Sequence, residues 1–106
     1  MITYENETNT VCVKPKGELD HRLSETIRNS IDAEILKNNA MNLVFDMKEI
    51  SFMDSSGIGL LIGRYKLMKR MNGKISVRGM CSQVLRIFIM SGLSRIISNE
   101  EGEEAL

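Results

Sequence analysis

The residues best placed to carry chemistry lie in the run Ser51-Phe52-Met53-Asp54-Ser55-Ser56-Gly57-Ile58-Gly59, where an apolar stretch gives way to a carboxylate, two hydroxyls and two glycines. Leu60 to Met71 continue with apolar residues at helical spacing, so Asp54 or Ser55 falls where a helix takes its side-chain cap. The pattern reads as a strand-to-helix corner that holds Ser55 ordered and exposed. A phosphate on Ser55 would meet the amide groups and positive dipole end of that helix, which makes the corner a candidate phosphorylation switch. Capping alone would also place Asp and Ser here. The glycines add something a cap does not require, because Gly57, Gly59 and Gly63 each cost about 1 kcal/mol of helix stability relative to alanine. Gly59, Leu60 and Gly63 fall on or beside the face opposite the apolar stripe. With Asp54, Ser56 and Gly57 they form a candidate docking surface around the serine.

A second constellation is Gly17-Glu18-Leu19-Asp20-His21, read as the end of a strand and the start of a helix. The carboxyl ends of parallel strands share one edge of a sheet, so this loop is expected to meet the Asp54–Gly57 corner there. Asp20 caps its helix, and is also a candidate to hold a partner or position the Ser55 hydroxyl; His21 is an exposed first-turn residue or a partner contact. A nucleophilic serine is the enzymatic alternative. It would need His21, the single histidine, as its base, yet the flanks do not match Gly-x-Ser-x-Gly and no orienting carboxylate can be picked out. No catalytic residue is assigned.

The elements that must position these groups follow from periodicity. Ile2 to Tyr4 and Thr10 to Val13 alternate as two strands, with Asn6 to Asn9 as the turn of a hairpin. Leu23, Ile27, Ile31 and Ile35 recur every four residues as a helical stripe, capped by Asp20 and ended by Asn38-Asn39. Leu43-Val44-Phe45 reads as a buried strand that leads through Glu49 and Ile50 into the serine corner. In the following helix Ile58, Leu61, Ile62, Tyr65 and Met68 make the face expected to be buried, with Gly73 as the stop. Lys74 to Met80 alternates again. Ser82 is the expected cap of a third helix with Val84, Leu85, Phe88 and Ile89 on its stripe and Gly92 at its end, and Leu93, Ile96 and Ile97 pack as a last short element. This order implies a single α/β domain over residues 1–106, with a mixed, mostly parallel sheet, right-handed crossover helices and an N-terminal antiparallel hairpin. The tail from Glu100 to Leu106 is acidic, and is expected to be exposed and frayed or poorly helical.

With 106 residues, the chain fits one core. Fourteen basic and 14 acidic residues give no net charge, so no global field draws it to nucleic acid or anionic membrane. Lys66, Lys69, Arg70 and Lys74 with Arg64 make a basic patch late in the second helix, where cations suit the dipole and a solvated face is the simple reading. Without interleaved aromatics it is no nucleic-acid site. Cys12 and Cys81 lack metal-ligand spacing and are expected to be buried, reduced thiols; no metal or cofactor is expected. The first residues carry no basic-then-apolar signal and no segment approaches the ~20 apolar residues of a membrane span, so a cytoplasmic protein is expected.

Taken together, Gly17-Glu18-Leu19-Asp20-His21, the run Phe52-Met53-Asp54-Ser55-Ser56-Gly57-Ile58-Gly59 with Gly63-Arg64-Tyr65-Lys66, and Met90-Ser91-Gly92-Leu93 resemble a STAS domain of the anti-sigma factor antagonists of spore-forming bacteria. The resemblance runs from about Ile2 to Ile97. It implies a binding regulator, monomeric when free and without catalysis of its own. Its partner would be an anti-sigma factor that is also a serine kinase, bound in its ADP form, whose capture frees a sporulation sigma factor. With ATP that kinase would phosphorylate the first serine of Asp-Ser-Ser-Gly, which is Ser55, and a PP2C-type phosphatase would reverse the step. A general-stress antagonist and a transporter-associated STAS protein are the alternatives on the same fold.

Overall fold

The computed structural model describes residues 1–100. Seven strands and three helices follow in the order β1 (Ile2–Glu5), β2 (Thr10–Val13), β3 (Gly17–Leu19), α1 (His21–Asn38), β4 (Asn42–Asp46), β5 (Ile50–Met53), α2 (Ser55–Arg70), β6 (Lys74–Arg78), α3 (Ser82–Met90), a 3-10 turn (Leu93–Arg95) and β7 (Ser98–Asn99). The main sheet has the order β1-β2-β4-β6-β7, antiparallel at β1-β2 and parallel elsewhere. This is the mixed α/β domain that the element order implies.

Alternation on the central strands decides where the core lies. Val11 and Val13, Leu43 and Phe45, and Ile75 and Val77 point to one face and are buried, because a period of two sends alternate side chains to the same side. α1 packs against β1 and β2, and α2 against β6. Ile27, Ile31 and Ile35 of α1 and Leu61 and Met68 of α2 complete that core. Asn39 closes α1 in the left-handed conformation (φ 50°), its N–H returning to the Ile35 and Leu36 carbonyls, a conformation asparagine tolerates better than most residues.

Three strands were not expected as separate elements. β3 and β5 pair in parallel as a separate two-stranded sheet, with Leu19 opposite Met53. Pro15 separates β2 from β3 and has no N–H to give a ladder, while three residues are too few for alternation to show. β7, two residues long, pairs with β6 for the same reason unseen. Other details differ as well. The left-handed residue after α2 is Asn72 (φ 60°), not Gly73. Gly73 is needed instead because a Cβ there would lie 2.7 Å from the Met41 carbonyl oxygen. α3 is capped by Cys81 without a side-chain hydrogen bond, and Ser82 is its first helical residue.

The cysteines are free, but neither is fully buried: Cys81 is exposed and Cys12 half-buried. Cys12 lies on the sheet face away from the helices, opposite in direction to its buried neighbours Val11 and Val13. Its partial burial still raises the thiol pKa, against the nearby Arg78. Glu100 accepts a hydrogen bond from the Ser76 hydroxyl at 2.8 Å and faces Arg78 at 3.8 Å; the rest of the expected acidic tail, 101–106, lies outside the described residues. Among the described residues no helix is long and apolar enough to cross a membrane.

Candidate functional site

Because β3 and β5 run side by side, the two helices that follow them start together. Asp20 and Asp54 each take extended backbone (φ −103° and −108°) one residue past the paired strand ends. Each is a helix cap: the Asp20 carboxylate accepts from the Leu23 N–H at 3.0 Å, and the Asp54 carboxylate from the N–H groups of Ser56 at 2.8 Å and Gly57 at 3.3 Å. Asp20 is the cap that the sequence predicts, Asp54 is the one of the two candidates, Asp54 or Ser55, that caps α2, and the Gly17–His21 loop does meet the serine corner.

Ser55 is the first residue of α2 and is exposed. Its hydroxyl makes no hydrogen bond among the described residues, to Asp20 or to His21. Asp20 is therefore engaged in its own helix, and a Ser-His hydrolytic pair has no contact to build on. Asp54 already occupies the amides that a phosphate on Ser55 would otherwise use. Such a phosphate would stand in solvent beside a carboxylate, not folded into the helix end.

The expected docking surface divides in two. Gly59 and Gly63 have open space where a Cβ would sit, and with His21 and Ser56 they line a groove of about 370 Å³ between the first turns of α1 and α2. Gly57 and Leu60 do not belong to the exposed surface. A Cβ on Gly57 would lie 2.5 Å from the Leu19 carbonyl oxygen and 2.6 Å from Met53 Cγ, so this glycine lets α2 rest on β3. Leu60 is 3% exposed and forms the groove floor.

The correction has a simple cause. α2 is covered on two sides, by the sheet and by α1, so Gly57, Leu60, Leu61, Arg64 and Met68 are buried while Ile58, Ile62 and Tyr65 are only partly so. A single helical stripe at i, i+3, i+4, i+7 describes one contact, not two.

Arg64 also leaves the basic patch to which its charge assigned it. It is 8% exposed and ion-paired through Nε to Asp32 of α1 at 2.8 Å. Lys66, Lys69, Arg70 and Lys74 remain exposed, with Lys69 Nζ 5.8 Å from the centre of the Tyr65 ring. Sequence reading missed Ser24, Glu25 and Arg28 on the groove wall. His21, Glu25 and Arg28 recur at i, i+4 and i+7 on the polar side of α1, which is the one signal that would have found them.

A parallel strand pair starts two capped helices and a serine is displayed between them, and the STAS domain model matches residues 1–105. The chain belongs to the STAS domain family. Within it the chain groups with the anti-sigma factor antagonists. It is 35% identical to the anti-sigma F factor antagonist of Paenibacillus polymyxa, over 96% of this chain and 87% of that protein. The structure of the antagonist SpoIIAA in its unphosphorylated form superposes with a TM-score of 0.79 at 32% identity, covering 99% of this chain and 92% of that one. The phosphorylated form of Bacillus SpoIIAA superposes with a TM-score of 0.71 at 30% identity, covering 99% and 96%.

Proposed function

We propose that the unphosphorylated chain binds an anti-sigma factor that is also a serine kinase, in its ADP-bound form, and so frees a sporulation sigma factor. Phosphorylation of Ser55 by that kinase with ATP ends the association, and a PP2C-type phosphatase restores it. The observation that carries this reading is the corner itself: an exposed hydroxyl, without a hydrogen bond among the described residues, on the first residue of a capped helix, next to a groove left open at Gly59 and Gly63. The existence of a phosphorylated form of SpoIIAA supports the chemistry. The free protein acts as a monomer in the cytoplasm, and carries no catalysis of its own.

Incubation with the kinase and ATP, followed by mass spectrometry, should place one phosphate on Ser55. Phosphate found only at another residue, or none in wild type, rejects the assignment.

The groove gives a separate expectation. Gly63→Ala should stabilise the fold by about 0.5–1 kcal/mol, since the site is helical and open. Gly63→Trp should fold but lose binding about a hundredfold by filling the approach. Urea melts and calorimetric titration separate the two effects; wild-type affinity in the Trp variant would remove the groove from the interface.

A further inference from the structure

Two side chains on the wall of the α1–α2 groove are more than nine-tenths buried and short of partners. Arg64, 8% exposed, meets the Asp32 carboxylate through Nε at 2.8 Å but off the hydrogen-bond axis. Its remaining N–H donors have no hydrogen bond among the described residues. Ser24, 7% exposed, has a buried hydroxyl with no hydrogen-bond partner among the described residues. A buried donor left unmade is destabilising, and native folds contain few of them. The Ser24 hydroxyl is such a group, and beside it the outer Arg64 donors are not sealed but open into the same groove.

The chemistry of the missing group follows from its surroundings. Burial lowers the Arg64 pKa, Asp32 partly restores it, and Arg28 works against it. Glu25, on the same wall, lies 3.5 Å from Arg28 and offsets that charge locally. Arg64 is thus a largely desolvated guanidinium with one carboxylate, that of Asp32, behind it. A planar fork of N–H donors matches a carboxylate in two parallel hydrogen bonds. Gly59 and Gly63 leave the approach open.

We propose that this groove anchors a carboxylate side chain of the anti-sigma factor, received by the outer N–H groups of Arg64 and by the Ser24 hydroxyl. The inference rests on the reading of the chain as an antagonist, and adds a fixed contact beside the serine that is modified. Ser24 engages by moving from one staggered χ1 well to another, since its oxygen has no exposed surface in the free protein. Asp32 holds the guanidinium in place from behind.

The test is calorimetric titration of the purified anti-sigma factor with Ser24→Ala and Arg64→Lys, each with its urea midpoint. Ser24→Ala should bind about tenfold more weakly with a midpoint no lower than wild type, because it removes an unmet buried hydroxyl. Arg64→Lys keeps a cation for Asp32 but loses the fork, and should bind at least tenfold more weakly. A purely structural role would lower the midpoints and spare the affinity of the folded protein. Wild-type affinity in both variants overturns the proposal; if Arg64→Lys does not fold, Ser24→Ala decides alone. Ser55→Asp with the groove intact separates this from the broader reading. If it releases the factor while both groove variants hold it normally, the anchor fails and the switch stands; if wild type does not bind the factor, both fail.

Discussion

A phosphate on Ser55 should weaken binding of the anti-sigma factor by roughly a hundredfold or more, and Ser55→Asp by about tenfold, while neither lowers the stability of the fold. The phosphate adds about −1.5 to −2 charges. In the free protein that charge sits at the amino end of a 16-residue helix, where a negative group is favourable by roughly 0.3–1 kcal/mol. In the complex it is pressed against a partner beside Asp54, whose carboxylate is committed to the Ser56 and Gly57 amides and cannot turn away. Like charges brought together at an interface cost several kcal/mol, and each ~1.4 kcal/mol is a factor of ten. Aspartate carries half the charge and less bulk, hence the smaller loss. Ser55→Ala should bind and never switch off. Calorimetric titration of the four forms, with urea melts alongside, checks the set; equal affinity for phosphorylated and unmodified protein would end this account of the switch.

Gly57→Ala should destabilise the protein by about 3 kcal/mol, at the upper end of what overpacking a well-filled site costs. On a domain of this size that lowers Tm by roughly 12–24 °C. One methyl group would collide with the Leu19 carbonyl and with Met53 at 2.5 and 2.6 Å, and the first obstacle is backbone of β3, which has no rotamer to give way. The comparison with Gly63→Ala is instructive. The two glycines lie less than two turns apart in one helix, and the same substitution should move stability in opposite directions. Calorimetric melting of both settles it; a Gly57→Ala melt within 3 °C of wild type would mean that α2 does not rest on β3 as closely as described.

The legible parts of the fold were those written in period and punctuation. The hairpin, the α1 stripe with Asp20 and Asn39 at its ends, the Asp54 cap and the stop at Gly92 are each set by residues within one turn of the place they act. The β3–β5 pair was not legible, since Gly17-Glu18-Leu19 acquires its strand only by lying beside Ile50–Met53, more than thirty residues on. The site was half legible for the same reason. Ser55, Asp54 and Asp20 announce themselves locally, whereas Leu60, Gly57 and Arg64 change meaning once α1 and β3 close over α2. Charge put Arg64 on the surface; Asp32, in α1 and far off in sequence, puts it inside.

The small β3–β5 ribbon has a consequence for how the serine is kept in place. Two strands of three and four residues cannot persist in water by themselves, so this pair exists only while Leu19, Ile50 and Met53 stay packed in the common core. The ledge under Ser55 is therefore lost whenever that packing is lost. An enzyme that modified this hydroxyl would meet it on a ledge shaped by the common core, as one folded face against another.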